Sequence, residues 1–134
     1  MKKFLAILLT LTLLVGLVGC GSSEEDAKKV ADYVAANGAS LRASMEQSLG
    51  SFSGMTCTST IKAEGCGIVM SININELENV DEVYKASMQA TYDAMDIYWD
   101  TMMERFRKDL PELDYFTIHV CEKDGTKLAT VKMD

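Results

Sequence analysis

The stretch from Glu76 to Pro111 does most to limit how this chain can fold. Tyr84, Met88, Thr91, Met95, Tyr98, Met102 and Phe106 fall at steps of four and three, and Trp99 and Met103 widen the stripe. That is the period of a helix with one apolar face. Asn79 is placed to cap its start, with Asp81 and Glu82 in the first turn, where negative charge meets the positive end of the helix dipole. Arg105, Arg107 and Lys108 occupy the last turn, and Pro111 ends the helix and pushes Leu110 out of helical geometry. About 30 residues at 1.5 Å each make roughly 45 Å. A strand of eight residues covers only about 27 Å, so this helix either overhangs the sheet it packs on or bends.

Two hairpins bracket it. In the first, from Met55 to Asn75, Ile68, Met70, Ile72 and Ile74 alternate with Val69, Ser71, Asn73 and Asn75, giving one core face and one wetter face. Glu64-Gly65 is the natural turn. Pairing Ala63 with Cys66 sets Ile61 opposite Ile68, Ser59 opposite Met70 and Cys57 opposite Ile72, so Cys57 faces the core and Cys66 lies at the hairpin tip. In the second, from Asp114 to Met133, Asp124-Gly125 predicts a type I′ turn. It pairs Val120 with Ala129, Ile118 with Val131 and Phe116 with Met133 as the inner face. Tyr115, Thr117, His119 and Cys121 point the other way, beside Leu128, Thr130 and Lys132. Ahead of both, Ala27 to Leu49 has a helical pattern that Asn37-Gly38 interrupts, as a kink or a division into two, and that ends at Gly50-Ser51. The expected class is α+β in the order helix, hairpin, helix, hairpin (αββαββ), with a four-stranded antiparallel sheet and the helices packed on one face.

The chain opens with Lys2-Lys3 and an uncharged apolar run from Phe4 to Val18, too short to span a bilayer comfortably. Leu17-Val18-Gly19-Cys20 resembles the lipobox of bacterial lipoproteins. The resemblance implies cleavage after Gly19 and a diacylglyceryl group on the Cys20 thiol, with two acyl chains as a stable anchor. The expected organisation is a signal at 1–19, a lipidated cysteine and short polar tether at 20–26, and one domain at 27–134. The mature chain would keep 115 of 134 residues, with 11 basic against 20 acidic once Lys2 and Lys3 leave. Such an acidic chain lacks the basic footprint nucleic acid requires. With Cys20 given to lipid, Cys57, Cys66 and Cys121 are an odd set, allowing at most one internal disulfide; Cys66 with Cys121 is the preferred pair.

Asp32-Tyr33-Val34 in the first helix, the Ala63-Glu64-Gly65 turn, the long helix and the Asp124-Gly125 turn together resemble a family of small Gram-positive lipoproteins, domain of unknown function 4854. The resemblance implies the same order of elements and a surface-anchored location. It implies no catalytic residues, because that family has no assigned activity.

Chemical constellations are sparse. His119 and Cys121 share a strand face, but i and i+2 neighbours stand about 7 Å apart, and no oxyanion loop accompanies them. Cys57, Cys66, His119 and Cys121 contain no Cys-x-x-Cys spacing for zinc. Met88, Met95, Met102 and Met103 have the spacing of a packed helix face rather than a copper site. Asp93, Asp96, Asp100 and Glu104 form a solvated stripe opposite. No enzyme, metal or cofactor is expected beyond the diacylglycerol on Cys20. The expected role is a non-enzymatic interaction or binding module on the extracytoplasmic face of the cell membrane. It would meet an envelope protein through Tyr115, Thr117, His119, Thr130 and Lys132. The alternative is a small solute- or metal-binding lipoprotein using Cys66, His119 and Cys121 or the acidic helix face.

Overall fold

The computed structural model describes residues 24–134; the expected signal segment, cleavage after Gly19 and lipidation of Cys20 lie outside them. In chain order the elements are α1 (Glu24–Ser53), β1 (Cys57–Glu64), β2 (Gly67–Ile74), α2 (Glu82–Asp93), α3 (Asp96–Asp109), β3 (Tyr115–Cys121) and β4 (Lys127–Met133). The fold is α+β, with one four-stranded sheet ordered β1-β2-β3-β4.

The sheet is mixed, which corrects the antiparallel expectation. β1–β2 and β3–β4 are antiparallel hairpins, but β2 and β3 run parallel, from Gly67↔Tyr115 to Asn73↔Cys121. The reason is the connection. β2 leads the chain away from the first hairpin's turn, and the helical segment then brings it back along the sheet, so β3 starts at the end where β2 started. Antiparallel neighbours need only a tight turn, whereas parallel ones need a crossover of a dozen or more residues, usually helical.

That crossover is two helices, which makes the order αββααββ. Asp81, not Asn79, caps α2, its carboxylate accepting from the Tyr84 N–H at 2.8 Å; Asn79 takes φ 52° in the turn before it. The helical run breaks at Ala94-Met95 without a glycine or proline. There the Trp99 indole N–H donates to the Tyr92 carbonyl at 2.8 Å, and the Met95 N–H reaches the same carbonyl at 3.1 Å. Tyr92 and Tyr98 both meet the Trp99 ring edge-on. Leu110, before Pro111, leaves the helix at φ −137° and ψ 76°.

α1 is continuous and already helical at Glu24, so residues assigned to the tether form its acidic first turn. Gly38 does not break it. Gly38 is buried, and a Cβ there would lie 3.1 Å from Ile61 Cγ2; the residue is a notch that lets helix and sheet approach. The helix ends at Gly54 rather than Gly50-Ser51, with φ 70° and its N–H on the Gly50 carbonyl.

The first hairpin is shifted by two residues from the expected register. Glu64 pairs with Gly67, Ala63 with Ile68, Ile61 with Met70, Ser59 with Ile72 and Cys57 with Ile74. The turn is Gly65-Cys66, with positive φ at Gly65 alone, the pattern of a type II′ turn. A slip of two keeps every side chain on its face, so Ile68, Met70, Ile72 and Ile74 are buried as their alternation requires. In the second hairpin all three expected pairs form. Its turn is not type I′, because Asp124 is not in the positive-φ region. The Gly125 N–H bonds the Glu122 carbonyl, Gly125 takes φ 92°, and the register shifts between Val120 and Cys121. These are the features of a three-residue loop with a bulge.

α1 covers the inner face at β1 and β2, and α2 lies along β4. β4 is an edge strand, and one side chain closes its exposed backbone at Thr130. The Gln89 amide donates to the Thr130 carbonyl and accepts from the Thr130 N–H, both at 2.8 Å. Such a cap satisfies backbone groups and denies another chain a pairing template. Replacing it, Gln89→Ala, is expected to cost about 1–3 kcal/mol in urea unfolding and to raise the aggregation rate. Gly38→Val forces α1 away from Ile61 and is expected to cost about 1–3 kcal/mol, with Gly38→Ala losing less because alanine gains helix propensity.

Candidate functional site

The two faces of the sheet carry two different concavities. On the inner side, an open groove of about 820 Å³ lies between α1 and the α2–α3 pair. Its floor is Met70, Ile72, Phe116 and Ile118 from the central strands. Leu41 and Met45 stand on the α1 wall; Met88, Met95, Trp99 and Met102 stand on the other. Phe106 closes one end, stacked on Phe116 with ring centroids 4.9 Å apart. Met88, Met95 and Met102 therefore line a groove and are only half-buried, whereas Met103 is packed in the core as its spacing reads. Val83 and Ile97, on the same two helices, are exposed at 79% and 85%. Neither the period nor the residue types separate a groove wall from a filled core; only the separation of the helices does.

Among the described residues no charged side chain lines this groove. Its polar atoms are hydroxyls, from Ser44, Ser48, Ser87, Thr91 and the tyrosines. Tyr92 is half-buried there, and burial pushes its phenol above the ordinary range.

On the outer side, Tyr115, Thr117, His119 and Lys132 come together as expected and line a shallow concavity of about 590 Å³. Lys62, Glu64, Val69, Ser71 and Lys127 complete it. Thr130 stands beside it, its hydroxyl 3.0 Å from His119 Nδ1. Tyr115 is set by close packing: its ring covers Gly67, where any Cβ would lie 2.2 Å from it, and its hydroxyl donates to Glu64. Lys132 Nζ sits 5.4 Å from the centre of that ring. Burial, and after it the charge of Lys127, holds the His119 imidazole below its ordinary range, while Glu64 pulls the other way.

The cysteines do not gather. Cys66 sits in the first hairpin's turn beside the Gly67↔Tyr115 pair, and Cys121 lies six residues further along β3, about 20 Å away at strand rise. A disulfide needs Cα atoms within about 7 Å, so the expected Cys66–Cys121 bond is not formed, and no disulfide joins the three thiols. Nor can Cys66, His119 and Cys121 share a metal. Among the described residues no group of three or more His, Cys, Asp or Glu is gathered for one. Cys121 is on the outer side of β3 but buried with Leu128 where the strands bulge, not on a solvated face. Burial pushes the Cys57 and Cys121 thiols up, away from a reactive thiolate.

Because the folded chain holds His119 neutral to lower pH than the unfolded chain does, the unfolded state takes up the proton first. Stability from this group is complete above about pH 6.5 and is lost as pH falls through the folded value. Urea midpoints are expected to drop between about pH 7 and pH 5, and the drop is expected to be smaller in His119→Gln.

No protein-family model, curated protein or solved structure matches the chain.

Proposed function

We propose that this chain is a membrane-anchored, extracytoplasmic binding module, non-enzymatic, that holds one apolar chain of acyl or isoprenoid type in its inner groove. The basic and then apolar opening and Leu17-Val18-Gly19-Cys20 support the anchor, through a diacylglyceryl group on Cys20. The resemblance to small Gram-positive lipoproteins points the same way.

The observation that carries the binding reading is a groove of about 820 Å³ without one charged lining residue among the described residues, in a chain of which 25% is charged. A charged ligand would lose its hydration there and gain no partner. The volume lies within the range of about 300–1,000 Å³ typical of small-molecule sites. Shape narrows the class. Met70, Ile72, Phe116 and Ile118 line the groove yet are at most 4% exposed, so the groove tapers to a slot. A partner helix is at least about 10 Å across with its side chains, wider than such a slot; a single hydrocarbon chain is thinner and lies between the helix walls. The methionine walls adapt to a flexible occupant, and Ser44, Ser48 and Ser87 offer hydroxyls to its polar end. Lipid-like cargo thus takes the place of the envelope protein expected from the sequence. Of the metal-binding alternative, the set Cys66, His119 and Cys121 is not gathered, because Cys66 stands far from Cys121.

Trp99 is the single tryptophan and lies in the groove, so its emission reports occupancy. Titrating the mature protein with a long-chain fatty alcohol is expected to blue-shift that emission, saturating at one per chain. Ser48→Phe, at an exposed position on the groove wall, is expected to weaken binding about tenfold or more by filling the groove. An absent or unsaturable response, or saturation only by an apolar helical peptide, sinks the proposal.

A further inference from the structure

The outer concavity has a charge balance opposite to that of the chain around it. Three lysines, Lys62, Lys127 and Lys132, converge there with one carboxylate, Glu64, although acidic residues outnumber basic ones 20 to 13 in the whole sequence. Among the described residues only Lys62 of the three has a carboxylate within ion-pair distance, Glu64 at 3.9 Å; Lys132 stands over the Tyr115 ring, whose hydroxyl bonds the same carboxylate. Lysines on both sides of the concavity offer a bound anion charge from two directions.

The neutral groups around them are hydrogen-bond donors. Ser71 and Thr117 present hydroxyls. His119 bonds Thr130 through Nδ1, which leaves its other ring nitrogen to serve as a donor once protonated. Tyr115, packed over Gly67 and bonded to Glu64, is a fixed wall.

Position selects the source of the anion. α1 begins at the same end of the sheet as the first hairpin's turn: Lys29 bonds Glu112 at 3.2 Å, and the Asp114 N–H bonds the Cys66 carbonyl at 2.9 Å. Glu64, Tyr115 and Lys132 lie at that end. Only residues 21–23 separate Glu24 from Cys20 in the sequence. An anchor at Cys20 therefore keeps this end of the sheet nearest the bilayer.

We propose that the outer-face concavity binds the phosphate headgroup of an anionic lipid in the membrane that holds the anchor, with Lys62, Lys127 and Lys132 supplying the charge and Ser71, Thr117 and His119 the hydrogen bonds. The proposal rests on the anchored reading and is independent of what fills the groove. The groups that set the His119 charge are Lys62 and Glu64 from β1 and Lys127 from β4. A phosphate among them favours the imidazolium, so headgroup binding takes up a proton.

His119 is the only histidine, so its ring resonances give an unambiguous titration. The mature chain, produced without its acyl group, is mixed with vesicles of phosphatidylglycerol, with vesicles of phosphatidylcholine, or with inorganic phosphate at matched concentration. The expected result is a rise in the His119 midpoint with phosphatidylglycerol alone, and co-sedimentation with those vesicles that falls at least about tenfold in Lys127→Glu/Lys132→Glu. Arg42→Glu/Lys123→Glu, with the same change of charge at exposed positions outside the concavity, is expected to sediment as the parent does. No change in the midpoint, an equal change with phosphatidylcholine, or full reproduction by inorganic phosphate overturns the proposal. Fatty-acid labelling at Cys20, compared with Cys20→Ala, is scored separately, so a lost anchor and a lost headgroup site are read from different measurements.

Discussion

The parallel join between β2 and β3 is the constraint on which the rest of this structure depends. It places Ile68, Met70 and Ile72 beside Phe116, Ile118 and Val120 at the centre of the sheet, and it obliges the connecting segment to travel back along the inner face. That face is then shared between two helical layers of separate origin. α1 sits over β1 and β2, and α2 is tied to the edge of β4 through Gln89. Strands stand about 4.8 Å apart, so the two outer strands of a four-stranded sheet are separated by about 14 Å. Helices in direct contact pack only about 8–10 Å apart. A helix held at each edge cannot meet the other, and the gap between them is the groove.

Why the gap is uncharged follows from the same geometry. Its floor is the inner face of the central strands, which alternation has made apolar. Its walls are the core-facing stripes of two amphipathic elements that would each bury more surface if the layers closed. The remaining hydroxyls fit a site that stays open, since they are satisfied by water as well as by a ligand. The opposite face of the same strands carries the polar alternates, and there Lys62, Lys127 and Lys132 are brought together from two strands at opposite edges. One sheet thus presents an apolar groove on one side and a lysine-lined concavity on the other.

Much of this was legible before any coordinates. Alternation in Ile68–Ile74 and Phe116–Val120 assigns faces without knowledge of register, because a slip of two residues leaves each side chain on its side. This is why the inner face was right although the first hairpin turns at Gly65-Cys66. Tyr115, Thr117, His119 and Lys132 were grouped correctly for the same reason. Gly38 misled because a glycine in a helix signals a break only when nothing packs on it, and here Ile61 does. The helix break at Ala94-Met95 carries no local signal; it depends on Trp99 reaching the Tyr92 carbonyl and on the two tyrosines that hold its ring. The parallel join had a signal, the length of the crossover, in a helical run longer than the strands it joins.

The sequence by itself determined the strand faces, the pairing of the second hairpin, the stop at Pro111 and the class of the fold, since each depends on neighbours within a few residues or on simple periodicity. Only the tertiary structure decided the direction of β3, the end of the sheet at which each cysteine lies, the split of the long helix, and the open groove between helices that periodicity alone would close. Those features depend on distances between residues that are far apart in the chain, and no local pattern encodes such a distance.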